Sequence, residues 1–218
     1  MASDTKLYPG LHAYVDECLA DFDRIPDERK RTLEKLAAFV EKQQQAGEEA
    51  KLTFICTHNS RRSHLSQVWA QTAASFYGIP KVATYSGGTE ATAFNPRAVA
   101  ALRRAGFRFE DETSDRNPVY KVTSHDGAAP MKAFSKVYSD DPNPQRDFCA
   151  VMTCSQADKA CPSVKGASMR LTIPYEDPKA FDNTPQETEK YDERCQQIAL
   201  EMLYVFSQVN RSKRLVIS

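Results

Sequence analysis

The sequence predicts an α/β chain in which a parallel sheet carries helices on both faces, preceded by a helical N-terminal extension. Short apolar runs at 51–55, 82–86, 148–153 and 169–173 have the length and the β-branched or aromatic content of buried strands. Apolar residues also recur at helical spacing, as in Leu65, Val68, Trp69, Thr72, Ala73 and Phe76, and again in Cys195, Ile198, Met202, Val205 and Phe206. Strands that alternate with helices favour a parallel sheet covered on both sides.

Residues 1–50 read as the extension, and residues 51–218 as the main domain with an insertion near 118–146. Leu11, Val15, Cys18, Leu19 and Phe22 keep helical spacing, and Pro26 stands where a second helix would start. That helix carries Leu33, Leu36, Ala37, Phe39 and Val40, then runs into a Gln-rich stretch near Gly47. Two amphipathic helices must lie on something. The options are the main domain or a second copy, which would give a homodimer through the N-terminal helices. Downstream, the strand at 82–86 closes at Gly87-Gly88, and Asn95-Pro96 opens a helix that Gly106 ends. Residues 119–123 and 133–138 are expected to pair around Asp126-Gly127, and Asp141-Pro142-Asn143-Pro144 marks a loop. The last helix is expected from about 186 to about 208.

A chain of 218 residues suits one domain with an appendage. Its 29 basic and 29 acidic residues cancel, so no overall field recruits nucleic acid or an anionic membrane. No apolar run approaches a membrane span, and the basic-then-apolar order of a signal peptide is missing, so a cytoplasmic location is expected. Cys18, Cys56, Cys149, Cys154, Cys161 and Cys195 are then expected to be reduced at rest. None forms a short Cys-x2-Cys pair and the histidines are scattered, so neither a metal nor a resident cofactor is expected.

The chemistry concentrates in Cys56-Thr57-His58-Asn59-Ser60-Arg61-Arg62-Ser63, between the first strand and the helix that follows. A turn in that position can aim successive N–H groups inward as a nest for a tetrahedral oxyanion, and the helix start adds its own. Arg62 can grip two oxygens through its planar fork. A cysteine in such a field is favoured as the thiolate nucleophile. The plainer alternative is a buried cysteine beside surface arginines. Attack by Cys56 on an oxyanion expels a poor leaving group, which calls for an acid. Asp177, on the proline-restricted loop after the last strand, is the candidate, although Asp-Pro is also a common turn element. Cys154 and Cys161 follow another strand end. Cys154 can attack a sulfur on Cys56 and Cys161 can then attack Cys154, moving a disulfide outward. Two loop thiols that never pair remain the alternative. In parallel sheets ligands sit beyond the carboxyl ends of the strands, where Cys56, Cys154 and Asp177 would share a crevice.

These residues resemble the phosphate loop of the low-molecular-weight protein tyrosine phosphatase fold. They resemble more closely the thioredoxin-coupled arsenate reductases built on it. Tyr85-Ser86-Gly87-Gly88-Thr89-Glu90, Asn95-Pro96-Arg97-Ala98, Thr113-Ser114-Asp115, Met152-Thr153-Cys154 through Cys161-Pro162, and Glu176-Asp177-Pro178 extend the resemblance over roughly 51–209. It implies that Thr57, His58, Asn59, Ser60, Arg61 and Arg62 bind arsenate or phosphate while Cys56 attacks and Asp177 protonates the leaving oxygen. It further implies that Ser63 hydrogen-bonds Cys56, that Asn59 braces the loop, and that Cys154 and Cys161 complete a relay emptied by a thioredoxin-like external thiol reductant. Three positions depart from the family. Arg61 replaces a common cysteine, His58 a glycine, and Gln67 a glutamate that helps bind potassium in some reductases. A phosphatase for phosphotyrosine or small phosphoesters is the runner-up, since the loop, Arg62 and Asp177 serve both oxyanions. A non-catalytic oxyanion-binding or redox-sensing module is a third class. The second cysteine pair ranks the reductase first.

Overall fold

A computed structural model describes residues 7–111, 113 and 115–209. Its centre is a four-stranded parallel sheet in the order β2-β1-β6-β7, formed by β1 (Ala50–Cys56), β2 (Val82–Gly88), β6 (Phe148–Met152) and β7 (Ala167–Thr172). The two-residue pleat divides each central strand between two cores. Leu52 and Phe54 of β1, with Cys149 and Val151 of β6, face the larger one, which includes helix residues such as Leu36, Trp69 and Met202. Ile55, with Phe148, Ala150 and Met152, faces a smaller cluster that includes Ala157, and Cys56 joins that cluster from the end of β1. The helical cover is therefore uneven. On the large-core side are α3 (Arg62–Phe76) and α6 (Glu187–Gln208), joined by α4 (Pro96–Arg104). The six-residue α5 (Ser155–Ala160) is the helix of the smaller side.

The extension supplies α1 (Pro9–Ala20) and α2 (Asp27–Gln45). Their apolar stripes, Leu11, Val15 and Cys18 in α1 and Leu33, Leu36, Ala37, Phe39 and Val40 in α2, are buried within the chain, and both helices pack on α6. Of the two surfaces open to these helices, the main domain takes them. Gly106 ends α4 at φ 108°, and a Cβ there would fall 2.4 Å from the Leu11 backbone nitrogen. Only glycine lets α1 lie this close to the chain behind α4.

Residues 108–133 contribute a second sheet, an antiparallel β3-β4-β5 with β3 (Arg108–Asp111), β4 (Tyr120–Thr123) and β5 (Met131–Ala133), of which β4 and β5 fall in the expected 118–146 stretch. The expected pairing of 119–123 is present, with two corrections. Its partner strand is only Met131–Ala133, because residues 134–138 leave to bond the main sheet and the loop beside it. β3 was not expected, since Arg108–Asp111 alternates large and charged residues without a run of β-branched ones.

Candidate active site

β1 delivers Cys56 to its carboxyl end, and α3 begins at Arg62. The loop between them is tied from outside through its carbonyls. Thr57 O accepts from Glu90 N at 2.8 Å and from Thr89 Oγ1 at 3.1 Å. His58 O accepts from Thr92 Oγ1 and from Ser135 Oγ, both at 3.1 Å, and Ser60 O accepts from Asn95 N at 2.9 Å. None of these bonds uses an N–H of His58, Asn59, Ser60 or Arg61, so the donors a nest requires are not consumed in holding the loop. Gly88 makes the close approach possible, because a Cβ there would fall 2.2 Å from Glu90 O and 2.7 Å from both Asn59 N and Thr57 O.

Asn59 is the internal brace. Its side-chain Nδ2 donates to Ser63 Oγ at 2.8 Å, and its Oδ1 accepts from Lys136 N at 2.9 Å. It also carries the left-handed turn of the loop, at φ 43°, a conformation that Asn tolerates better than most residues. The positive φ therefore falls on Asn59 and not on His58, which explains how a side chain can stand at position 58. Ser63 Oγ lies 3.1 Å from Cys56 Sγ, so Cys56 has a hydroxyl neighbour that Asn59 orients.

Arg62 connects the loop after β1 with the 174–178 loop. Its Nη1 donates to Tyr175 O at 2.9 Å and its Nη2 to Asp177 Oδ2 at 2.6 Å. Its Nε is buried without a partner, a donor still free for an anion. Asp177 also accepts from Lys179 N at 3.1 Å, capping the short 3-10 turn Pro178–Phe181. Arg61 lies 4.0 Å from Asp177 Oδ1 through its Nε, but its shorter contacts are farther out. Its Nε donates to Tyr191 OH at 2.7 Å and its Nη2 lies 3.4 Å from Asp182, so a carboxylate outside the loop takes up much of its charge.

Cys154 is almost fully buried, and its Sγ lies 3.5 Å from Thr57 Oγ1, one residue from Cys56 in the loop. The sulfur also caps α5, accepting from Ala157 N at 3.3 Å, and Cys161 ends that helix half-buried. The loop following Cys154 was expected to be irregular. It is helical because a side-chain cap starts it and Arg170 bridges its far end, donating to Cys161 O at 3.2 Å and to Asp158 O at 2.8 Å. All six cysteines are free. Burial pushes the thiols of Cys18, Cys149 and Cys195 up to about 12, so these three are inert core thiols at neutral pH. A cavity of about 890 Å³ opens in front of Arg62 and Asp177, with His58, Gln156 and Arg194 on its walls.

Gln67 donates from Nε2 to Thr84 O at 3.2 Å, and no cluster of three His, Cys, Asp or Glu side chains forms among the described residues. Asp115 accepts from Asn117 N, while Ser114 lies outside the described residues. No helix of the described residues is long and apolar enough to cross a membrane. Two groups of residues around the site carry no sequence signal. Ser135 and Lys136 reach the loop from the insertion, and Arg29, Tyr175 and Glu201 stand behind the acid loop.

Residues 51–127 match the family model described as low molecular weight phosphotyrosine protein phosphatase. An arsenate reductase of Bacillus cereus is 27% identical over 125 residues, covering 57% of this chain and 74% of that protein. One from Halalkalibacterium halodurans is 26% identical over 134 residues, covering 62% and 78%. Among solved structures, a YwlE mutant from Bacillus subtilis superposes with a TM-score of 0.52 at 14% identity, covering 75% of this chain and all of that one. A low molecular weight protein tyrosine phosphatase from T. tengcongensis gives a TM-score of 0.50 at 14% identity, covering 73% and 99%. The chain is thus similar over residues 51–127 to the low molecular weight phosphotyrosine protein phosphatase family, shares that fold, and is similar over more than half of its length to arsenate reductases.

Proposed function

We propose that this protein reduces arsenate to arsenite through Cys56, Cys154 and Cys161, and is recycled by a thioredoxin-like dithiol. The observation that carries the reading is the position of Cys154, whose sulfur lies 3.5 Å from the hydroxyl of the residue next to Cys56. A phosphatase has no use for a second thiol there. In the first step the Cys56 thiolate attacks arsenic, an As–O bond breaks, and Asp177 gives the departing oxygen its proton. Arg62 and the loop N–H groups hold the remaining oxygens. Cys154 then attacks Cys56 Sγ. The S–S bond forms as the S–As electron pair passes to arsenic, and As(V) leaves as arsenite. Cys161 attacks Cys154, releasing the Cys56 thiolate, and an external dithiol reduces the Cys154–Cys161 bond.

The last exchange has a structural cost. Cys154 and Cys161 flank α5, and seven residue steps of helix separate their Cα atoms by roughly 10 Å, beyond the ~7 Å limit for a disulfide. α5 must unwind for the bridge to close. A single short helix is marginal on its own, which makes this affordable. The mouth of the cavity supports the same substrate class. Pro174, Tyr175 and Ala180 give its wall some apolar surface, while Arg62, Lys179 and Arg194 are cations suited to a small anion.

The test is NADPH consumption coupled through thioredoxin, with arsenate as substrate. Sustained turnover that Cys154→Ser abolishes is the expected result. Hydrolysis of an aryl phosphate without arsenate turnover would replace this reading by the phosphatase one. The pairing of Asp177 with Arg62 is equally suited to phosphoryl transfer, so it does not separate the two readings.

A further inference from the structure

The acid loop, 174–178, is gripped from behind by residues outside the sequence motifs. Glu201 of α6 is almost fully buried, and burial of a carboxylate requires a partner. Arg29, from α2 of the N-terminal extension, supplies it. Its Nε donates to both Glu201 oxygens at 3.0 and 3.1 Å and its Nη2 to Oε2 at 2.8 Å. The same Nη2 donates to Pro174 O at 3.1 Å, and the guanidinium lies 5.0 Å from the centre of the Tyr175 ring. Tyr175 OH donates to Glu201 Oε2 at 2.8 Å, while Tyr175 O accepts from Arg62 at 2.9 Å. Burial, with Glu201 beside it, keeps the Tyr175 phenol far above its ordinary range, so it remains a donor. One continuous run of hydrogen bonds therefore leads from the extension to the arginine that grips the oxyanion.

We propose that Arg29 and Glu201 are positioning residues, which hold the 174–178 loop so that Tyr175 O and Asp177 set the fork of Arg62, and that the N-terminal extension thereby forms part of the active site. The proposal rests on the oxyanion reading of the loop but on neither choice between reductase and phosphatase. A second-tier brace of this kind acts by geometry, and a misplacement of about 1 Å costs on the order of a hundredfold.

The experiment titrates arsenate and phosphate protection of Cys56 against alkylation, which needs no turnover. It compares Arg29→Gln with the double variant Arg29→Gln/Glu201→Gln, which leaves no buried carboxylate unpaired. Leu36→Ala, in the same helix but away from the network, is the stability control. The expected result is protection weakened roughly ten- to a hundredfold in both network variants. Protection should be preserved in Leu36→Ala at equal or greater loss of thermal midpoint, and partly restored by Arg29→Lys. Unchanged protection in the double variant, or a loss that Leu36→Ala reproduces, would overturn the proposal. Absence of arsenate turnover in the unaltered protein would defeat the reductase reading and leave this one standing.

Discussion

Cys56 ends β1, and Cys154 follows β6, its neighbour in the sheet, yet the chain leaving each cysteine is held differently. After Cys56 the backbone is pinned at three of its carbonyls, and Asn59 clamps it from within to Ser63 and Lys136. After Cys154 it forms one short helix, started by the sulfur itself and ending at a half-exposed Cys161. An oxyanion nest works because its donors are fixed before the ligand arrives, which costs no reorganisation. A disulfide relay works only if the second sulfur can travel, which a fixed segment would forbid. The sheet places both cysteines at one end; the chain leaving Cys56 is pinned at several points and the chain leaving Cys154 is one short helix, which is the contrast the proposed roles require.

That contrast breaks most completely at Cys56. Cys56→Ser is expected to abolish both arsenate reduction and aryl phosphate cleavage, measured side by side, and surviving turnover of either would remove Cys56 from that reaction. Cys161→Ser separates the two regions. It should still release one equivalent of arsenite in a rapid-quench experiment while multiple turnover with thioredoxin stops, and normal cycling would end the case for a mobile segment. Asp177→Asn should slow aryl phosphate cleavage by roughly a hundredfold, most for poor leaving groups. A uniform loss across leaving groups would point to Arg62 positioning instead.

The brace behind the pinned loop can be probed through Lys136. Burial pushes its ammonium down from 10.5 to about 8, so between those values the unfolded chain binds more protons than the native one, and stability rises with pH. Below about 8 both states are protonated and the full cost of the buried charge remains. Lys136→Met, which keeps the backbone donor to Asn59, should remove that rise and stabilise the protein near neutrality by up to roughly 3 kcal/mol. Denaturant unfolding at two pH values reads the difference. The smallest effect is the most specific. Ala160→Gly weakens α5 by about 1 kcal/mol, or roughly fivefold in its unwinding equilibrium. It should speed the Cys154–Cys161 exchange by about that factor and leave aryl phosphate cleavage alone. An unchanged exchange rate would mean that the bridge closes without unwinding α5.

Much of this was legible in the chain itself. Strand and helix periods located β1, β2, β6, β7 and the main helices, because burial of one face imposes a pattern that survives in any context. The motif from Cys56 to Ser63 pointed to an oxyanion loop because its residue types have few other joint uses, and the structure places it between β1 and α3 as expected. The Pro and Gly residues around α2 and α4 marked helix ends by their own backbone limits. Less visible was anything that depends on partners distant in sequence. α5 was missed because six residues carry little periodicity, and its cap is a cysteine. The short β5 followed from competition, since residues 134–138 bond more favourably to the main sheet and to the oxyanion loop than to β4.

The sequence alone determined which residues are apolar at which period, which atoms can attack, donate or carry charge, and the order in which they leave the strands. Those properties are local, set by side-chain chemistry and backbone sterics. Only the tertiary structure decided that Asn59 carries the left-handed turn, that Asp182 and Tyr191 engage Arg61, and that Arg29 stands behind the acid loop. Each depends on groups up to 172 positions apart being brought within hydrogen-bonding distance. That distance is fixed by how the buried faces pack together, and no local pattern encodes it.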